Sequence, residues 1–267
     1  MFFPSVILAA LAGLATHVSC ACTRQMLQDA TAGYIAALAA GQTTFSALGA
    51  DKVEYSENGK DIDLTKGILS QKIRIDFNRS LYDTTECASY TEIVSTDSKH
   101  PYVIGSRLAF GADSKVSRID QNVCDDGDWI FNAAGTLAGN KKENWDPIPE
   151  AKRDKREVIK AAGDAYIDSW GDSSVKPAFA TGCYCLEGGT QRQGCALNFG
   201  QAMKITNRRY TIDEELGAVD IFHNFPFLDK ALPRDPGTVT NNLVKVEGGK
   251  IRLIHENTVC TKKSCAK

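Results

Sequence analysis

The sequence predicts an α+β protein made of two tandem copies of one unit, each a helix followed by a curved antiparallel sheet. Three observations carry this. A helical stripe containing Tyr34-Ile35 recurs as Tyr166-Ile167, 132 residues further on. Each stripe is followed by short alternating or apolar runs separated by turn residues, the pattern of antiparallel strands. Between the two copies, residues 131–152 hold the glycines and prolines of a boundary.

Taken in order, residues 1–21 open with Met1-Phe2-Phe3-Pro4, run uncharged from Val6 to Ala15 and end in a small-x-small site at Ser19-Cys20-Ala21. They read as a secretory signal peptide. The first domain is assigned to residues 22–130. Its helix runs from Arg24 to Ala40, with Leu27, Ala30, Tyr34, Ile35 and Leu38 on one face. Strand segments follow at Ile73 to Arg79, Ala88 to Ser95, Tyr102 to Phe110 and Val116 to Val123, with a turn at Gly111 to Lys115. In the linker, 131–152, Asn132-Ala133-Ala134-Gly135 and Trp145-Asp146-Pro147-Ile148-Pro149 stop regular structure, and Trp129 and Trp145 pack it against the domains. The charge run Glu150 to Glu157 reads as a solvated first turn. The second domain, residues 153–267, repeats the plan. Its helix, 155–170, carries Val158, Ile159, Ala162, Tyr166, Ile167 and Trp170 on one stripe. Strand segments then run from Met203 to Arg208, Tyr210 to Asp213, Ala218 to Phe225 and Leu243 to His255, with a hairpin turn at Glu247-Gly248-Gly249-Lys250. The pair Asn78-Arg79 also recurs, as Asn207-Arg208. One sheet folded round one helix can leave a cone-shaped cavity between them.

Composition narrows the classes. The 267 residues are 24% charged and 43% hydrophobic, with 31 Lys+Arg against 33 Asp+Glu and a net charge of −2. That is too apolar for a disordered chain and too balanced for bulk electrostatic binding to nucleic acid. After the leader no segment has the ~18 apolar residues of a membrane span. Eight cysteines remain past residue 21: Cys22, Cys87, Cys124, Cys183, Cys185, Cys195, Cys260 and Cys265. An even count behind a signal peptide predicts disulfides. Cys183-Tyr184-Cys185 lacks zinc-ligand spacing, and no metal is expected. Cys183 or Cys185 with Cys195 would close a short loop. Asn78-Arg79-Ser80 is the glycosylation sequon of a secreted chain.

The Tyr-Ile helices and the Gly249-Lys250-Ile251-Arg252-Leu253-Ile254-His255 strand resemble the SnoaL-like, nuclear-transport-factor-like cone fold. With Thr84 to Glu92, Pro101 to Gly105, Gly127 to Asn132, Asn144 to Pro149 and Lys204 to Tyr210, the chain is similar to a family of fungal secreted tandem proteins, most of unknown function. The resemblance covers nearly all of residues 22–258. Some members of that family resemble hetero-Diels–Alderases of meroterpenoid biosynthesis, which dehydrate a tropolone alcohol to an o-quinone methide and join it to a humulene-type terpene. The resemblance thus implies a cofactor-free enzyme acting on a small apolar metabolite, and a sheet face available for a homodimer. A non-catalytic secreted binding or effector glycoprotein is the alternative.

Such chemistry needs a dry pocket and one or two groups that move a proton. Aligning Lys115-Val116 with Lys250-Ile251 puts Asp120 and His255 at equivalent points of the last strands. Simple alternation gives Ile251, Leu253 and His255 one face, with His255 as proton shuttle. Val219, Ile221, His223 and Phe225 share a face one strand earlier, so His223 is a second candidate and Phe225 a wall residue. Arg208 and Arg209 could polarise a tropolone or carboxylate oxygen, or else pair structurally with Asp213 or Glu215. Tyr34 and Tyr166, on the helical stripes, are substrate-facing candidates or plain core. No motif of a serine hydrolase, zinc protease, P-loop enzyme or dehydrogenase is present.

Overall fold

A computed structural model describes residues 22–49, 53–197, 199–200, 202–226 and 237–260; the signal peptide expected at residues 1–21 and Cys265 lie outside them. Helix α1 is Arg24–Ala40. The Thr23 side chain accepts from the Met26 N–H at its start, and Gly41, at φ 68, ends it. The strands of the first half are β1 (Glu54–Glu57), β2 (Lys60–Asp61), β3 (Phe77–Asp83), β4 (Ala88–Ser95), β5 (Tyr102–Phe110) and β6 (Val116–Cys124). They form one sheet in the order β2-β1-β6-β5-β4-β3.

The second half repeats this with helix α3 (Arg156–Asp168) and strands β7 (Phe179–Glu187), β8 (Thr190–Gln193), β9 (Thr206–Asp213), β10 (Ala218–Phe225), β11 (Thr238–Glu247) and β12 (Lys250–Thr258). The order is β8-β7-β12-β11-β10-β9, position for position that of the first sheet. The molecule is therefore an α+β protein of two similar units. Each sheet is mixed rather than wholly antiparallel, because β1 runs parallel to β6 and β7 to β12. Those added strands carry no clean alternation that a sequence pattern could register. The linker also holds a helix, α2 (Ala133–Asn140), where regular structure was expected to stop. Its glycines serve close approach: a Cβ on Gly135 would lie 2.2 Å from the Gly189 carbonyl oxygen.

Pairing registers fix which residues correspond. Asp83 faces Ala88 as Asp213 faces Ala218. The β5–β6 and β11–β12 hairpins each bulge just after the Ala109/Arg118 and Lys245/Leu253 pairs, so Asp120 and His255 do occupy equivalent places. The bulge shifts the alternation. Ile251 and Ile254 lie in the core under α3, whereas His255 bonds across to Glu92 of the first half. His255 therefore does not share the face of Ile251, as uninterrupted alternation predicts.

The two sheets pack face to face. Leu81 and Tyr90 of the first join Leu216, Ala218, Phe222 and Leu243 of the second in one buried cluster. At its centre Asn122 donates to the Asn241 side chain at 3.0 Å and to the Asn257 carbonyl at 2.7 Å. Gly105 lies so close that a Cβ there would be 2.7 Å from Asn241 Oδ1. Arg24 donates to both oxygens of Asp213 at 2.9 and 3.0 Å, and Arg156 to both oxygens of Asp83 at 2.7 and 2.8 Å. These exchanged forks make the chain a pseudo-two-fold pair. The sheet face that the resemblance assigns to a homodimer is thus covered within one chain.

Two disulfides join Cys22 to Cys87 and Cys183 to Cys195, and Cys260 is disulfide-bonded as well. Between the two partners offered for Cys195, the structure selects Cys183. Cys185 keeps a buried thiol, against the expectation that it too is bridged. Cys124 is buried at the end of β6. Asn78 is exposed on β3, where a glycan would project into solvent. No helix among the described residues is long and apolar enough to cross a membrane.

Candidate functional site

Each half has a core between its helix and its sheet, and the two cores differ in chemistry at matched positions. In the first, Tyr34 is fully buried and its hydroxyl lies 2.6 Å from Ser106 Oγ and accepts from the Gln121 amide. The Tyr55 hydroxyl, with one proton to give, lies between the Gln121 and Glu57 side-chain oxygens. Burial raises both tyrosine pKa values. The remaining space is filled by Leu38, Ile93, Ile104 and Leu108. This core is a satisfied polar knot inside aliphatic packing, and Tyr34 presents no hydroxyl to a cavity.

In the second core the partners change. Strand pairing places Glu256 where Gln121 stands, Cys185 where Tyr55 stands, Asn242 where Ser106 stands and His223 where Ile93 stands. His223 lies 2.7 Å through Nε2 from Asn242 Oδ1, so Nε2 carries the proton in the neutral ring. Asn242 donates through Nδ2 to Glu256 Oε2 at 3.2 Å, and Thr258 donates to the other oxygen at 3.3 Å. Burial, with the Glu187 charge, lifts the Glu256 carboxyl to about 8. Burial pulls His223 down to about 4, outweighing its bond to Asn242. Burial thus favours the uncharged form of both groups, a protonated carboxylic acid and an unprotonated imidazole, linked by one amide.

The other wall is aromatic. Trp170 lies edge-on to Tyr166 at 5.3 Å, Phe225 at 5.5 Å, His223 at 5.7 Å and Phe199 at 5.9 Å between ring centres. Phe199 is 42% exposed, so this cluster reaches from solvent to the buried histidine. Trp170 Nε1, buried at the cluster, has no hydrogen-bond partner, and His223 Nδ1 has no side-chain partner, with only the Asn224 backbone beside the ring. Leaving such an atom unpaired costs ~1–3 kcal/mol, which marks a place where a ligand can supply the partner.

Of the residues expected from sequence, His223, Tyr166 and Phe225 come together here. His255, Asp120 and Arg209 lie instead between the sheets. His255 is held by Glu92 at 2.9 Å and by Glu143 of the linker at 2.8 and 2.9 Å. Those charges, outweighing its loss of water, raise it to about 9. Asp120 accepts from Arg118 at 2.9 Å and lies 3.5 Å from Arg209. Arg209 thus pairs across the interface, not with Asp213 or Glu215, which Arg24 takes. Sequence reasoning missed Glu256 and Asn242. The bulge had put Glu256 on the wrong face, and Asn242 sits in a strand whose start was placed after it.

Burial lifts the Cys185 thiol to about 12. Native protein at pH 8 is therefore expected to resist iodoacetamide at Cys185 and to take up label there only on unfolding, as peptide mass spectrometry would show. Rapid native labelling at Cys185 would contradict this burial.

The fold and site define an α+β protein of two fused, unequal units, the second of which holds a histidine and a carboxyl joined through an asparagine in its core. A family described as a domain of unknown function (DUF8021) matches residues 152–258, the second unit and the charged turn before it. No curated protein matches the chain.

Proposed function

We propose that the chain is a tandem SnoaL-like protein whose second helix-to-sheet core is a cofactor-free active site for a small, largely apolar metabolite. The observation that carries this reading is the exchange of Gln121, Ser106 and Ile93 for Glu256, Asn242 and His223 at matched positions. A core needing only to be filled gains nothing from a half-buried carboxyl joined through an amide to a buried imidazole.

The chemistry follows from the protonation states. In dehydration of a tropolone alcohol, neutral Glu256 gives its proton to the departing hydroxyl, which leaves as water. His223 Nδ1 takes the ring hydroxyl proton, and an o-quinone methide remains. Transfer of the proton from imidazolium back to carboxylate restores the site with nothing oxidised or reduced. Asn242 fixes the orientation of both groups. The Trp170, Phe225 and Tyr166 rings would hold the quinone methide against the alkene of a humulene-type terpene, and the cycloaddition then needs only positioning. Disulfides suit an oxidising secretory compartment.

The test incubates purified, oxidised protein with the tropolone alcohol and humulene and follows adduct formation by mass spectrometry. Adduct should form faster than without protein, and Glu256→Gln and His223→Phe should each lose ~10²-fold or more. Rates equal to the protein-free control sink the enzymatic reading. The rival, a secreted binding glycoprotein, draws on the first core, where Tyr34 is buried and bonded to Ser106 and Gln121; it predicts retention of the terpene or tropolone without turnover.

Glu256→Gln also carries a stability prediction. A carboxyl raised from 4.5 to about 8 by burial withdraws stability as pH rises from the unfolded to the folded value. Wild-type protein is expected to lose roughly 3–5 kcal/mol through this group between pH 4.5 and 8. Urea unfolding of Glu256→Gln should lack that slope.

A further inference from the structure

A chain of two pseudo-symmetric halves has two equivalent grooves between its sheets but only one linker, and the linker fills one groove. In the filled groove, the Glu143 carboxylate lies 2.8 Å from His255 Nε2 and 3.7 Å from the Arg79 guanidinium. The Trp145 ring lies 4.1 Å from that guanidinium and 5.3 Å from the Lys245 ammonium, and its N–H donates to Glu143 at 2.8 Å. The linker thus delivers one carboxylate and one flat aromatic ring, held side by side, to an arginine.

The equivalent groove has Arg209 in place of Arg79, Asp120 in place of His255 and Glu86 in place of Leu216, as the matched registers require. Arg209 lies over the Phe222 ring at 5.7 Å. Arg107 and Arg209 share one carboxylate, Asp120, at 3.9 and 3.5 Å, and Asp120 already accepts from Arg118. The Nε atoms of Arg107 and Arg209 and the Oδ2 atom of Asp120 are buried without a hydrogen bond. A cleft of about 330 Å³ opens there, continuing past Arg156, Lys160 and Arg208, whose charges are paired with acids of their own. Glu86 lines the cleft too but lies 3.8 Å from Arg156, and burial favours the uncharged form of the neighbouring Asp220 carboxyl, so Asp120, already shared with Arg118, is the charged acid that Arg107 and Arg209 divide, and the groove has room for a second anion.

We propose that this open cleft binds an aryl carboxylate, a small molecule joining a carboxylate to a flat aromatic ring as Glu143 and Trp145 are joined in the filled groove. The carboxylate meets the Arg107 and Arg209 donors, and the ring stacks on the Arg209 guanidinium opposite Phe222. The site is separate from the second helix-to-sheet core and does not depend on the reaction assigned to it.

Titration calorimetry of the full chain with indole-3-propionate tests this, since that probe carries both groups in one molecule. Binding is expected, with at least a tenfold loss for indole-3-propionamide, which lacks the charge, and for propionate, which lacks the ring. Arg107→Met and Arg209→Met should each weaken binding at least tenfold in protein that circular dichroism shows to be folded at the titration temperature, even where loss of an Asp120 partner lowers the melting temperature. Should either fail to fold, Arg209→Lys, which keeps the charge but not the planar stack, should still bind several-fold more weakly. No binding, equal binding of the amide, or unchanged affinity in the folded arginine variants overturns the proposal. So does loss of binding in Trp170→Phe with retention in Arg209→Met, which would put the probe in the other core.

Discussion

Asp213→Ala is expected to destabilise the chain by ~3–5 kcal/mol, among the largest single losses available to it. The carboxylate has no exposed surface, yet it accepts five hydrogen bonds: two from Arg24, one from the Tyr82 N–H at 3.0 Å and two from the Glu215 and Leu216 N–H groups at 3.0 and 3.2 Å. Three of these cross between the halves and two cap the turn into β10. Removing the acceptor leaves the partly exposed Arg24 with Glu215 alone, 3.3 Å away, and strands three backbone donors at once. Arg24→Met should cost less, ~1–3 kcal/mol, because the backbone donors keep their acceptor. Urea unfolding of both variants checks the order, and a loss below 1 kcal/mol for Asp213→Ala would show that the exchanged forks are not what joins the halves. Asp83→Ala should behave alike, since Arg156 and the Ile212, Thr85 and Glu86 N–H groups repeat the arrangement.

That duplication is legible in the sequence as Tyr34-Ile35 against Tyr166-Ile167, Asn78-Arg79 against Asn207-Arg208 and Lys115-Val116 against Lys250-Ile251. The helices and most meander strands follow from apolar periodicity, which burial imposes directly, but the segments Met203 to Arg208 and Tyr210 to Asp213 prove to be parts of one strand, β9, and β11 starts at Thr238, ahead of Leu243, because polar strand residues carry no apolar signal. The parallel partners β1 and β7 do not, since a strand added at an edge needs backbone pairing more than pattern. Arg24 and Arg156 look like ordinary charges of a first helical turn, and nothing local tells that each reaches a carboxylate in the other half. The site was half legible for the same reason. His223 and Phe225 lie on an unbroken alternation, whereas a one-residue bulge before Leu253 exchanges the faces of His255 and Glu256. The sequence reading therefore chose the interface histidine and passed over the core carboxylate.

His255 makes the second large prediction, in the alkaline range. Its imidazolium is held between Glu92 and Glu143, with Arg79 3.6 and 3.7 Å from the same two carboxylates, so two cations and two anions sit together out of water. A histidine raised from 6.5 to about 9 contributes stability that is complete below 6.5 and is lost as pH climbs through 9. The loss amounts to roughly 3 kcal/mol. Glu256 acts in the same direction over a lower window, from 4.5 to 8, so it must be removed first. Lys245, lowered by burial, acts oppositely as pH rises, but it is common to both proteins compared. Urea unfolding of Glu256→Gln at pH 6 and 9.5 should therefore show a fall on the order of 3 kcal/mol, absent when His255→Gln is added. The double variant should also be weaker at pH 6, because Glu92 and Glu143 then face one another with Arg79 alone between them. Equal pH slopes in the two proteins would mean that His255 is neutral when folded, and the two halves would then be joined without an ionic core on that side.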